Sequence, residues 1–181
     1  MSRRSSILVL LLLSSVTFVV CFGFFMPQHL VIPVRGADAD DWHRDSFWFE
    51  PWSESGVHKG IDIFGKRGTA VVTASRGVVI YRGQLRLGGN VVYILGPKWR
   101  LHYYAHMDSV SVQFGETVHT GNMIGTVGNS GNAAGKAPHL HYAIQSLVPY
   151  LSHYGEGTQG WKRMFYLSPG EELLRISSTG D

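Results

Sequence analysis

Residues 90–105 read Asn90-Val91-Val92-Tyr93-Ile94-Leu95-Gly96-Pro97-Lys98-Trp99-Arg100-Leu101-His102-Tyr103-Tyr104-Ala105. Two runs of β-branched and aromatic residues flank a glycine-proline break, a composition that favours strands over helix. The same pattern extends outward in both directions. Upstream stand Val71-Val72-Thr73 and Gly77-Val78-Val79-Ile80-Tyr81. Downstream, Glu116-Thr117-Val118 leads into Met123-Ile124-Gly125-Thr126-Val127, and His139-Leu140-His141-Tyr142-Ala143-Ile144 closes the series. With 22 glycines in 181 residues, the chain is punctuated by turns. No helical period of useful length runs through 46–145, so this region is expected to be all β, as a sandwich or a barrel.

The ends differ from the middle. Residues 7–26 carry no charge and are rich in Leu, Val and Phe. As a helix at ~1.5 Å per residue they reach ~30 Å, the thickness of a bilayer's hydrocarbon core. Arg3 and Arg4 on the N-terminal flank keep Met1 in the cytoplasm and send the rest outward. A cleaved signal peptide would have a shorter apolar stretch with a small-residue site soon after it, and Ala37-Asp38-Ala39 lies well beyond. Cys21 follows the bulky Phe18-Val19-Val20, unlike the small residues before a lipid-modified cysteine. An uncleaved anchor over 1–26 is expected. Two prolines and the Asp38, Asp40, Asp41 cluster make 27–45 a linker, 46–146 the β domain and 147–181 a C-terminal extension. In that extension Ser168-Pro169-Gly170-Glu171 predicts a short helix from Pro169 to about Ile176.

Composition sets the classes aside. Hydrophobic residues make up 44% and charged residues 16%, which excludes wholesale disorder. A single cysteine excludes an internal disulfide framework and a Cys-based zinc knuckle. The formal charge of +3 fits an anionic neighbour but does not by itself indicate nucleic acid, and no nucleic-acid partner is expected.

Nine histidines carry the chemistry. In His58-Lys59-Gly60-Ile61-Asp62 the glycines oppose helix, and in extended chain His58 and Asp62 share one face while Ile61 and Ile63 point into the core. An imidazole and a carboxylate converging in this way suit zinc. In His139-Leu140-His141 both rings share a face, with Leu140 on the other. His106 ends Tyr104-Ala105-His106, and His102, four residues earlier, is expected on the same face as its rival. Tyr104 could orient a neighbour, bind substrate or pack. His29, His43, His119 and His153 match no pattern, and Lys59, Arg82 and Arg86 are read as solvated charges that could meet substrate.

His-x-x-x-Asp, then Tyr-x-His, then His-x-His about 80 residues after the first, in one glycine-rich β domain, resembles the lysostaphin-type (LytM-like) zinc metallopeptidases of peptidoglycan. Gly-Asn-Met-Ile-Gly-Thr-Val-Gly over 121–128, Gly131-Asn132 and Pro138 before His139 also match, and the resemblance covers 56–144. It implies a mainly antiparallel β-sheet structure with a groove, related to the duplicated hybrid motif. It implies one Zn2+ held by His58, Asp62 and His141, with His139 and His106 as the catalytic histidines. It implies an endopeptidase acting on peptidoglycan peptides, with the D-alanyl–diaminopimelate cross-link favoured by the single anchor and short linker. The anchor then places the domain on the periplasmic side of the inner membrane. The rival from the same family is a non-catalytic activator of a cell-wall amidase, disfavoured because all five positions are filled.

Overall fold

The structure, a computed structural model, describes residues 3–177. An N-terminal helix, α1 (Arg3–Phe25), occupies the predicted apolar stretch and is long and apolar enough over Ser5–Phe25 to cross a membrane. Ten strands follow: β1 (Ile61–Phe64), β2 (Ala70–Val72), β3 (Gly77–Leu85), β4 (Gly89–Gly96), β5 (Arg100–Met107), β6 (Ser109–Val110), β7 (Thr117–Val118), β8 (Met123–Thr126), β9 (His139–Ser146) and β10 (Tyr166–Leu167). The chain ends on α2 (Pro169–Ser177), where the Ser168 hydroxyl accepts the Glu171 N–H at 3.4 Å, as the capping pattern predicts.

Every pairing in the two sheets is antiparallel. The larger sheet runs β1-β9-β5-β4-β3-β7, with β10 also on β9, and the smaller runs β2-β8-β6. One core fills the space between them. Ile61, Ile63, Val92, Ile94 and Leu140 of the larger sheet meet Val71 and Ile124 of the smaller, all fully buried. The opposite face of β1, β9 and β5 is the floor of a groove.

The flanks do not behave as linker and appendage. Residues 27–45, expected as a linker, are packed into the fold. The Val31 N–H donates to Ala74 O at 2.9 Å, the Val72 N–H to Pro33 O at 2.9 Å, and Val34 bridges Val71. Leu30, Val34 and Trp42 are core residues. The prolines and aspartates that suggested a tether belong to a bent edge segment that buries a few irregularly spaced apolar residues. Residues beyond 146 are equally integrated: Tyr166 pairs Gln145, Leu167 pairs Ile144, and Leu173 of α2 is buried. The Arg100 guanidinium, itself buried, donates to Glu172 at 2.8 Å, to Gln28 at 2.7 Å and to the Tyr150 hydroxyl at 3.2 Å. That one side chain ties both flanks to the sheet.

Candidate metal centre

Register assembles the site. In the β1/β9 ladder Asp62 lies directly opposite His141, so their side chains leave the same face as near neighbours. His58 reaches the pair from the segment before β1. Its Nε2 is 3.0 Å from Asp62 Oδ1 and 3.1 Å from His141 Nδ1, and His141 Nδ1 is 2.8 Å from Asp62 Oδ1. Three donor atoms so spaced suit one small cation. His58, Asp62 and His141 would hold such an ion as its protein ligands, a donor set of two imidazoles and one carboxylate that suits zinc.

The rings are held from behind. The His58 Nδ1–H donates to Ser46 O at 3.0 Å, which leaves Nε2 with its lone pair toward the centre, and Trp52 stacks on the ring at 4.1 Å. Burial alone would raise the Asp62 carboxyl, but hydrogen bonds and charge from His141 and His58 hold it well below the usual carboxylate range. Burial lowers His141, in the direction of the neutral imidazole that a metal ligand must be, against the opposite pull of Asp62.

His139 and His106 stand beside this triad. The His139 Nδ1–H donates to Ala137 O at 2.8 Å, and its Nε2 lies 3.9 Å from Asp62 Oδ2. The His106 Nδ1–H donates to Ser130 O at 2.9 Å, and its ring centre is 5.0 Å from that of His139 and 5.9 Å from that of His141. Burial, with His141 and His139 nearby, pushes His106 down to about 4. All five expected residues line one cavity of about 530 Å³.

One expectation changes, and one left open is decided. His102 does not share a face with His106. It is fully buried on the core side, bonded to the Tyr142 hydroxyl at 2.7 Å and to Gln28 at 3.0 Å, and burial brings it down to about 3. His106 would follow it inward by strict alternation, but its backbone is left-handed, with φ 62°, and the turn carries its ring into the groove. Tyr104 is also a core residue, its hydroxyl accepting the Ala74 N–H at 2.9 Å. The groove tyrosine on that strand is Tyr103, opposite Ala143 and 6.0 Å from the His141 ring. Tyr93, Tyr166 and Trp52, also in the groove wall, were not singled out by sequence. Parity sets Tyr103 on the face opposite His102 and Tyr104, but which of those faces meets the groove follows from the β5/β9 register, where Ala105 lies opposite His141.

The charge of the groove is one-sided. Asp62 is the sole carboxylate among its lining residues, whereas Lys59 and Lys136 add cations. Burial, and Lys162 nearby, lower the Lys59 ammonium, which donates to Ser55 O at 3.1 Å. Arg86 of the β3–β4 turn pairs with Glu54 at 2.6 Å, joining two loops that border the groove.

Known proteins resemble this arrangement. The sequence model of peptidase family M23 matches residues 56–153. The L-Ala–D-Glu endopeptidase of Bacillus subtilis is 34% identical over 122 residues, 62% of this chain and 36% of that protein. The murein hydrolase activator NlpD of Salmonella dublin is 36% identical over 106 residues, 58% of this chain and 27% of that one. The chain thus spans about a third or less of the length of these curated relatives. Among solved structures, the catalytic domain of lysostaphin from Staphylococcus simulans superposes with a TM-score of 0.59 at 23% identity, over 75% of this chain and 95% of that one.

Proposed function

We propose a function from one premise: the chain belongs to peptidase family M23. The metal centre is the catalytic site of a zinc-dependent endopeptidase that hydrolyses an amide in the peptides of peptidoglycan. The observation that carries this reading is the convergence of His58, Asp62 and His141 within hydrogen-bonding distance of one another, with His139 and His106 on the same groove.

Zinc held by these three ligands supplies Lewis-acid polarisation of the scissile carbonyl and a water acidified toward neutral pH. The chain's own residues handle the protons. The Ala137 carbonyl fixes the His139 tautomer, so Nε2 is the basic atom and accepts the proton of the attacking water. His106, held the same way by Ser130 O, presents Nε2 as an acceptor, and donates to the developing oxyanion or to the leaving amine only after taking up a proton there. Lys59 and Lys136 favour a carboxylate-bearing stem peptide over an uncharged glycine bridge. In the D-alanyl–diaminopimelate link a free carboxylate flanks the scissile amide, and this is the bond we favour. α1 is the anchor, in the inner membrane, with the domain on the periplasmic side.

The experiment is digestion of purified sacculi by the zinc-loaded protein, with mass analysis of the released muropeptides. Loss of cross-linked dimers with new D-alanyl ends is the expected result. L-alanyl ends would move the reading to the bond for which the Bacillus subtilis relative is named. No release, together with stimulation of an added amidase, would replace the enzyme by an activator, the activity for which NlpD is named.

A further inference from the structure

The tip between β4 and β5 does not end in solvent. Lys98 and Trp99 both adopt left-handed backbone, with φ 61° and 55°, a costly conformation for two consecutive residues with side chains. The turn aims the Trp99 indole at α1, where its Nε1–H donates to Val20 O at 2.9 Å. The helix has a glycine at the point of contact: a Cβ on Gly23 would overlap the indole. Beside the tip runs the loop after β9. Leu147 and Val148 join Trp99, Val16 and Val19 around an apolar space of about 490 Å³.

Four backbone groups at this edge are paired locally. The Leu147 N–H donates to Trp99 O at 3.0 Å, and the Ser146 hydroxyl accepts the Val148 N–H at 3.2 Å while donating to Val148 O at 2.7 Å. Such pairing meets part of the requirement that a loop in hydrocarbon satisfy its polar groups internally. The side chains agree: Leu147 is 55% exposed, and the neighbouring helix presents Val16 at 52% and Val19 at 53%. Val20 lies five residues before the end of α1, about 8 Å along the axis. That is the depth, roughly 5–10 Å, at which interfacial apolar groups enter a bilayer. Lys98, next to Trp99, has the reach to keep its ammonium among headgroups.

We infer that Trp99, Leu147 and Val148 form a membrane-inserting face that seats the β domain on the outer leaflet beside α1. The inference rests on α1 spanning the membrane, and goes beyond the peptidase reading by fixing how the domain stands on the lipid. Its occupant is lipid because the face continues the exposed apolar surface of α1.

The test uses the full chain in phosphatidylcholine–phosphatidylglycerol vesicles whose acyl chains carry bromine near the headgroup. Wild type and Trp99→Phe are compared by tryptophan emission, with circular dichroism confirming that both are folded. One tryptophan in five is removed, so wild type should lose roughly one fifth more of its emission to bromine than the variant. Equal quenching overturns the inference. A difference that vanishes as the protein is diluted in lipid also overturns it, and assigns the face to a second copy of the chain. Alkaline extraction of the same vesicles reads the anchor separately. Protein that stays with the lipid yet shows equal quenching defeats the inserted face alone, and protein that washes out defeats the anchor as well.

Discussion

Removing an imidazole from His58 and removing one from His139 take away different things. His58 and His141 contribute donor atoms to the triad, so His58→Ala and His141→Ala are expected to lose zinc and activity together, read by metal analysis and muropeptide release. His139 lies beside the triad with its Nδ1 on Ala137 O, so His139→Ala should retain zinc while turnover falls about 10²–10⁴-fold. His102 makes a different prediction. Its folded value of about 3 lies below the 6.5 of an exposed histidine, so between those values the unfolded chain takes up a proton that the folded chain does not. Its contribution is complete above pH 6.5 and is lost as pH falls toward 3. Urea midpoints measured from pH 7 to 4 should fall in wild type and fall less steeply in His102→Gln. The five residues that the structure gathers on one groove were legible from the resemblance carried by three motifs in order, since each motif alone left a structural reading open. The place of Tyr103 in the groove, and the parting of His106 from His102, were not. A single left-handed residue that is not glycine leaves no mark in hydrophobic periodicity.

The β1/β9 pairing gives the centre its geometry. Asp62 faces His141 only in this register, and a slip by one residue would send one of them into the core. Gly60 permits the approach, since a Cβ there would overlap the Tyr142 carbonyl oxygen. Gly60→Ala is expected to lower the melting temperature, with a cost of about 1–3 kcal/mol, and to weaken zinc binding even though no ligand is altered. Calorimetry with and without added zinc separates the two effects. The long strands were plain in the sequence, where β-branched and aromatic runs are bounded by glycine. The 27–45 segment was not, because its prolines and aspartates carry the composition of a loop. Its structural role comes from apolar residues, Leu30, Val34 and Trp42, too irregularly spaced to form a period. In the same way β10 has only two residues and takes its pairing from β9.

Across the whole molecule, one buried cation holds the ends to the middle. Arg100 joins Glu172 of α2, Gln28 of the N-terminal segment and Tyr150 of the loop after β9. Glu172→Ala would leave its guanidinium without its carboxylate partner, and a loss of about 3–5 kcal/mol in unfolding free energy is expected by chemical denaturation. Glu172→Gln should recover part of it. No local pattern announces such a bond, because its partners lie 72 residues apart in sequence.

The docking of residues 31–35 along β2 leaves very little slack. From the end of α1 at Phe25 to the first rung at Val31 the chain has six residues to unroll, about 20 Å at full stretch. On the reading proposed above, an enzyme on so short a leash would not follow its polymer outward as the cell envelope thickens or pulls away. Its work would be confined to whatever strands pass within a body-width of the surface that holds its helix.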